Sequence, residues 1–104
     1  MTTPIQTEEI TLRAELSQFA IDMERLLRQN DWKGGWQNET MTYLVAQYLR
    51  KSNELVSCID YLSLSNTDVA HDIAIEEATH TANFLMMIAD NLRRKKEELH
   101  DGAI

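Results

Sequence analysis

Residues 76–91 read EEATHTANFLMMIADN, and this stretch decides the fold. Apolar side chains recur at three- and four-residue steps through Ala78, Ala82, Leu85, Met86 and Ala89, the period of an α-helix. They fall on more than one side. Ala74, Ala78 and Ala82 form one row, while Phe84, Met87 and Ile88 lie elsewhere. A helix that is apolar almost all round must be covered on several sides. In a chain this short, that predicts a partner subunit: a homodimer or a dimer of dimers. The same stretch also carries Glu76, Glu77, His80, Asn83 and Asn91, whose purpose the rest of the chain must explain.

Two further helical patterns precede it. Leu12, Leu16, Phe19, Ala20, Met23, Leu26 and Leu27 follow helical spacing, with Thr7 as the expected N-cap and Glu8 and Glu9 in the first turn. That pattern stops before Gly34-Gly35. The second helix is expected to start with Asn38 as N-cap and Glu39 in its first turn. Its stripe is Met41, Leu44, Val45, Tyr48, Leu55, Val56, Ile59 and Leu62, faltering at Ser52. LSLSNTD, residues 62–68, has the Ser and Asn chemistry of a loop. Thr67 is the expected N-cap of the third helix. Its C-terminal part carries Arg93, Arg94, Lys95 and Lys96, with Gly102 beyond the helix. No stretch reads as a strand. The expectation is one all-α domain, an antiparallel helical bundle.

Composition narrows the function classes. A net charge of −7 and a pI near 4.8 argue against binding a nucleic-acid backbone. A single cysteine, Cys58, fits a reducing cytosol, so a cytoplasmic protein is expected. The opening MTTPIQTEEI has neither the basic nor the apolar region of a signal peptide, and no run is long enough to span a membrane.

Three segments carry a resemblance. FAIDMERLLRQNDWKGGW (residues 19–36), a helix with the Glu54-Leu55 pair, and IEEATHTANFLMMIADN (residues 75–91) together resemble the small MazG-like nucleotide pyrophosphohydrolases of phages and bacteria. The most specific elements are KGGW, Lys33 to Trp36, and ANFLMMIADN, Ala82 to Asn91. The resemblance implies a MazG-like helical domain over residues 1–104, completed by homodimerisation. It also implies Mg²⁺-dependent cleavage of nucleoside triphosphates to monophosphate and pyrophosphate. The family's metal site is EExxE on one helix and ExxD on the next, a spacing that gathers carboxylates on facing sides. Mg²⁺ takes such oxygen ligands, bridges to phosphates and activates water.

Carried onto this chain, EExxE falls on Arg50, Lys51 and Glu54 in LRKSNEL (residues 49–55), and ExxD falls on Glu77 and His80. Only Glu54 and Glu77 remain as acids. Arg50 and Lys51 cancel their charge, so metal binding and hydrolysis are expected to be weak or absent. Glu54, Glu77 and His80 would suit a three-ligand Zn²⁺ site. An alternative follows from the same balance: Arg50 and Lys51 meet the phosphates directly, Asn83 and His80 add hydrogen bonds, and Lys33 and Trp36 complete a metal-free nucleotide pocket. A third reading is a small acidic protein that binds a protein partner. Against each stands a plainer role. Arg50 and Lys51 would be solvated, or would pair with Glu54 and Glu77, with a Glu77–Arg50 bridge closing the site. His80 would be an interior histidine, Met86 and Met87 core filler, Trp32 and Trp36 the closure of the bundle end, and Cys58 inert.

Overall fold

The computed structural model describes residues 9–31 and 34–102. Three α-helices, α1 (Ala14–Gln29), α2 (Met41–Leu62) and α3 (Asp68–Gly102), account for most of them, with one 3₁₀ turn at Trp36–Asn38. Among the described residues there is no strand. The all-helical expectation therefore holds, and no helix is long and apolar enough to cross a membrane.

The helix boundaries differ from the sequence reading at three places. Thr7 lies outside the described residues, and residues 9–13 are not helical. α1 begins after Arg13, whose carbonyl accepts from the amides of Leu16 and Ser17. Ile10 and Leu12 are exposed, so no burial rewards extending the helix backwards. The N-cap of α2 is Thr40, whose hydroxyl accepts from the Tyr43 amide at 3.1 Å. Asn38 is instead used in the 3₁₀ turn, closed by the Glu39 amide on the Trp36 carbonyl. Finally, α3 runs through Gly102, which was expected beyond it, while Arg93–Lys96 lie in its C-terminal part as expected. Thr67 does cap α3 as expected, accepting from the Ala70 amide at 3.1 Å.

The five-residue link between Leu62 and Asp68 folds α2 back along α3 as an antiparallel hairpin, and α1 packs on α3. The stripe predicted for α2 splits in two. Leu44, Tyr48, Leu55 and Leu62 turn inward, whereas Val45, Val56 and Ile59 are exposed. Residues one apart on a helix differ by about 100° in direction, so both sets cannot share one face.

Buried polar side chains on α3 fasten the remaining parts. Thr79 and Thr81 donate to the carbonyls four residues back, at 2.8 Å each. The Asn83 amide donates to the Met23 carbonyl of α1 at 3.1 Å, and the Asn91 amide donates to the Trp36 carbonyl at 3.0 Å. Two asparagines two turns apart therefore pin α1 and the 3₁₀ turn to the same helix. The chain is long for its size. Its radius of gyration is 17.3 Å, against about 13 Å for a compact domain of this length.

Candidate functional site

The site is assembled where α2 passes α3. Leu44, Tyr48, Lys51, Leu55, Cys58 and Leu62 follow alternating four- and three-residue steps, which places Lys51 on the inward stripe of α2. Its ammonium, 3.0 Å from Glu54 Oε2 and 3.3 Å from Glu77 Oε2, bridges the two helices. The Lys51 and Glu77 side chains are only 16% and 17% exposed, so water screens this pair weakly. Arg50, one residue earlier, bonds along its own helix and not to Glu77. Its Nη1 donates to Glu54 Oε1 at 2.9 Å, while Nε and Nη2 donate to Gln47 Oε1 at 3.1 and 2.7 Å. The closing bridge is thus Glu77–Lys51, not Glu77–Arg50. Hydrogen bonding with Lys51, and then with Glu77, holds the Glu54 carboxyl below its ordinary value despite the opposing effect of desolvation.

This arrangement bears on the metal. A divalent ion ligated by both Glu54 and Glu77 would need the place where the Lys51 ammonium sits. The donor set therefore does not fit Mg²⁺ as it stands. His80 does not join the pair: its Nε2 faces Glu76 Oε1 at 3.7 Å. The three-ligand set of Glu54, Glu77 and His80 is not brought together, and among the described residues no three His, Cys, Asp or Glu side chains group for a metal.

Above the bridge lies a cavity of about 590 Å³. Trp36, Arg50, Lys51, His80 and Asn83, five of the residues expected to meet a nucleotide, all line it. Lys33, the sixth, lies outside the described residues, as does Trp32. Glu54 and Glu77 do not line this cavity. They line a neighbouring shallow depression with Asn53, Ser57 and Cys58, and Arg50 borders both. The cavity wall therefore presents the two cations of α2, and the carboxylates lie next along the helices. Two acids, Asp31 and Glu39, also line the cavity, and both are exposed.

Trp36 is fixed by two bonds. Its indole Nε1 donates to Asp90 Oδ2 at 2.9 Å, and its carbonyl accepts from Asn91. The Trp36 bond, followed by that of Arg94, holds the Asp90 carboxyl below its ordinary value. With the indole N–H committed, the ring faces are what remain for contact. Gly34, at φ 90°, turns the chain into this segment. Asn83 differs from its expected role. One N–H of its amide is used on Met23, and the buried Oδ1 is an acceptor without a partner among the described residues.

Sequence reasoning missed Gln47 and Asp90, and gave Asn91 no role. Each acts on a residue that was identified: Gln47 orients Arg50, and the other two hold Trp36. The three-residue offset from Gln47 to Arg50 is a legible signal. The pairing of Trp36 with Asp90 spans 54 positions and has no local signal. Compared with models of known families, with curated proteins and with solved structures, the chain matches none.

Proposed function

We propose that this chain is a MazG-like helical bundle that binds a nucleoside triphosphate without a metal ion and turns it over weakly or not at all. One observation carries the reading: Trp36, Arg50, Lys51, His80 and Asn83, from separate elements, line a single cavity. Its volume of about 590 Å³ falls within the range of roughly 300–1,000 Å³ usual for small-molecule sites. In this reading the polyphosphate lies at the Arg50 and Lys51 end, where a guanidinium gives paired hydrogen bonds to phosphate oxygens. The base stacks on Trp36.

The same residues account for the expected loss of chemistry. Magnesium neutralises phosphate charge and also activates water. The Lys51 ammonium supplies charge alone, because it carries only donors and leaves the attacking water unpolarised.

Thermal melting with a triphosphate in excess chelator tests this. At a ligand concentration of about ten times Kd, binding adds about 1.4 kcal/mol, a rise of roughly 5–10 °C for a domain of this size. Arg50→Ala is expected to remove most of that rise. Stabilisation that disappears when Mg²⁺ is chelated would refute metal-free binding. Pyrophosphate release that Glu77→Ala abolishes would instead establish the family hydrolysis.

A further inference from the structure

The cavity changes charge along its length. Tyr43, Gln47 and Arg50 line it at steps of four and three residues, so they follow one side of α2 over about 10 Å of helix axis. Arg50 and Lys51 stand at one end. Trp36 and Glu39 stand at the other, because Glu39 immediately precedes Thr40, the N-cap of α2. α3 repeats this order. Glu77 meets Lys51, while Asp90 and Asn91, about 20 Å further along the helix, hold Trp36.

Glu39 is tied to Trp36. Its amide donates to the Trp36 carbonyl at 3.0 Å, which closes the 3₁₀ turn and keeps the carboxylate three residues from the indole. The other carboxylate at that ring, Asp90, is taken up by the indole N–H and by Arg94. Glu39 is exposed and lines the cavity. One end of the cavity thus offers a flat aromatic ring beside a group that only accepts hydrogen bonds, and the other end offers two cations.

That combination discriminates between bases. An aromatic ring stacks on any base, so Trp36 alone selects none. A carboxylate accepts at two oxygens and donates nothing. Among the common bases only guanine carries two adjacent N–H donors on its Watson–Crick edge, at N1 and at the 2-amino group. Adenine and cytosine set a ring-nitrogen acceptor beside their amine, and uracil and thymine flank their single N–H with two carbonyls. Each of those edges turns an acceptor lone pair toward a carboxylate. We infer that Glu39 selects guanine, so that the ligand is a guanine nucleotide with its base on Trp36 and its polyphosphate at Arg50 and Lys51. The inference rests on the nucleotide reading above and adds the base to it. The Glu39 charge also repels phosphate from the Trp36 end, which fixes the direction in which the nucleotide lies.

Calorimetric titration of the full chain in excess chelator tests it, with GTP, ITP, ATP, CTP, UTP and inorganic tripolyphosphate. ITP is GTP without the 2-amino group. GTP is expected to bind about 5- to 150-fold more tightly than ATP, the discrimination of a paired base contact, with ITP between them. Glu39→Ala should bring GTP to the affinity of ATP and leave tripolyphosphate binding unchanged. Asp31→Asn, at the other exposed acid of the wall, should keep the GTP preference. Equal affinity for all the nucleotides, with tripolyphosphate still bound, would overturn the guanine assignment and leave nucleotide binding standing. A GTP preference that survives Glu39→Ala would overturn the assignment too. No binding of any nucleotide would remove both readings. If Glu39→Ala does not fold, the wild-type ratio of GTP to ITP affinity decides, and a ratio near one refutes the role of Glu39.

Discussion

Replacing Lys51 with methionine removes the one cation shared by Glu54 and Glu77 while keeping the apolar stem that packs between α2 and α3. Glu54 keeps Arg50 at 2.9 Å, so its loss is small. Glu77, 17% exposed, is left without a cation. Exposed pairs contribute about 0–1 kcal/mol, and breaking a fully buried one costs about 3–5 kcal/mol. This pair lies between those limits, so a loss of about 1–2 kcal/mol is expected. For about 100 residues that lowers the melting temperature by roughly 5–15 °C. Adding Glu77→Gln to Lys51→Met removes the stranded charge and should recover most of the loss. Lys51→Glu goes further, placing a third carboxylate beside the other two. It is expected to be the least stable variant in chelator. It should also be the one that gains about 1.4 kcal/mol from Mg²⁺ at ten times its Kd. Melting curves at one fixed protein concentration, with and without Mg²⁺, measure all four proteins. Equal Mg²⁺ responses in wild type and Lys51→Glu would refute the claim that the ammonium stands in the cation position. So would a Lys51→Met protein as stable as wild type.

Two other perturbations test the cavity wall. The Asp90 carboxyl is held below its ordinary value of 3.8 by the Trp36 indole and by Arg94. A depressed carboxyl contributes stability that is present above the unfolded value and lost as pH falls through the folded one. Acid titration from pH 3.8 downward should therefore release Trp36. The readout is Trp36 emission in a Trp32→Phe background, and Asp90→Asn, which still accepts but does not titrate, should abolish the step. Gly34→Ala should cost about 1–2 kcal/mol, because φ is 90° there and nothing within 4 Å would clash, leaving backbone strain as the only cause. Urea denaturation measures it, and an unchanged midpoint would refute that conformation.

The three helices were legible because apolar spacing carries them, and Thr67 was legible as a capping residue just ahead of the Val69 and Ile73 pattern, with Ser65 and Asn66 as rivals. The start of α2 was not. Asn38 and Thr40 both have capping side chains, and the 3₁₀ turn that consumes Asn38 depends on Trp36 being held by α3. The end of α3 differs only at Gly102, because a glycine commonly stands just past a helix, whereas here it is the last helical residue. Within the site, residue types were legible but partners were not. Ser52 was read as the gap in the apolar stripe of α2. The inward stripe actually passes through Lys51, between Tyr48 and Leu55. That step of three and four residues was available in the sequence. It was masked because Val45, Leu49, Val56 and Ile59 supply a second apolar stripe on the same helix.

A helix with two apolar stripes and a lysine on one of them separates three tasks that a metal site would combine. In a carboxylate cluster the ion neutralises the acids, holds the helices together and activates water. Here Lys51 performs the first two for Glu54 and Glu77, with its charge fixed to the chain and not exchangeable. Arg50, steered by Gln47, lines the cavity and also the depression that holds Glu54 and Glu77. Under the proposed function, binding would draw on Arg50 and Lys51 in the cavity wall, and hydrolysis would need the carboxylates of the neighbouring depression. It follows that acids restored at Arg50 alone would not recreate a metal site, because the Lys51 ammonium would remain between Glu54 and Glu77. Acids restored at Lys51 alone would free the carboxylates but leave Arg50 bonded to Glu54. A divalent ion held as tightly as a catalytic site requires should therefore appear only when both positions change together, with metal-free nucleotide binding lost in the same step.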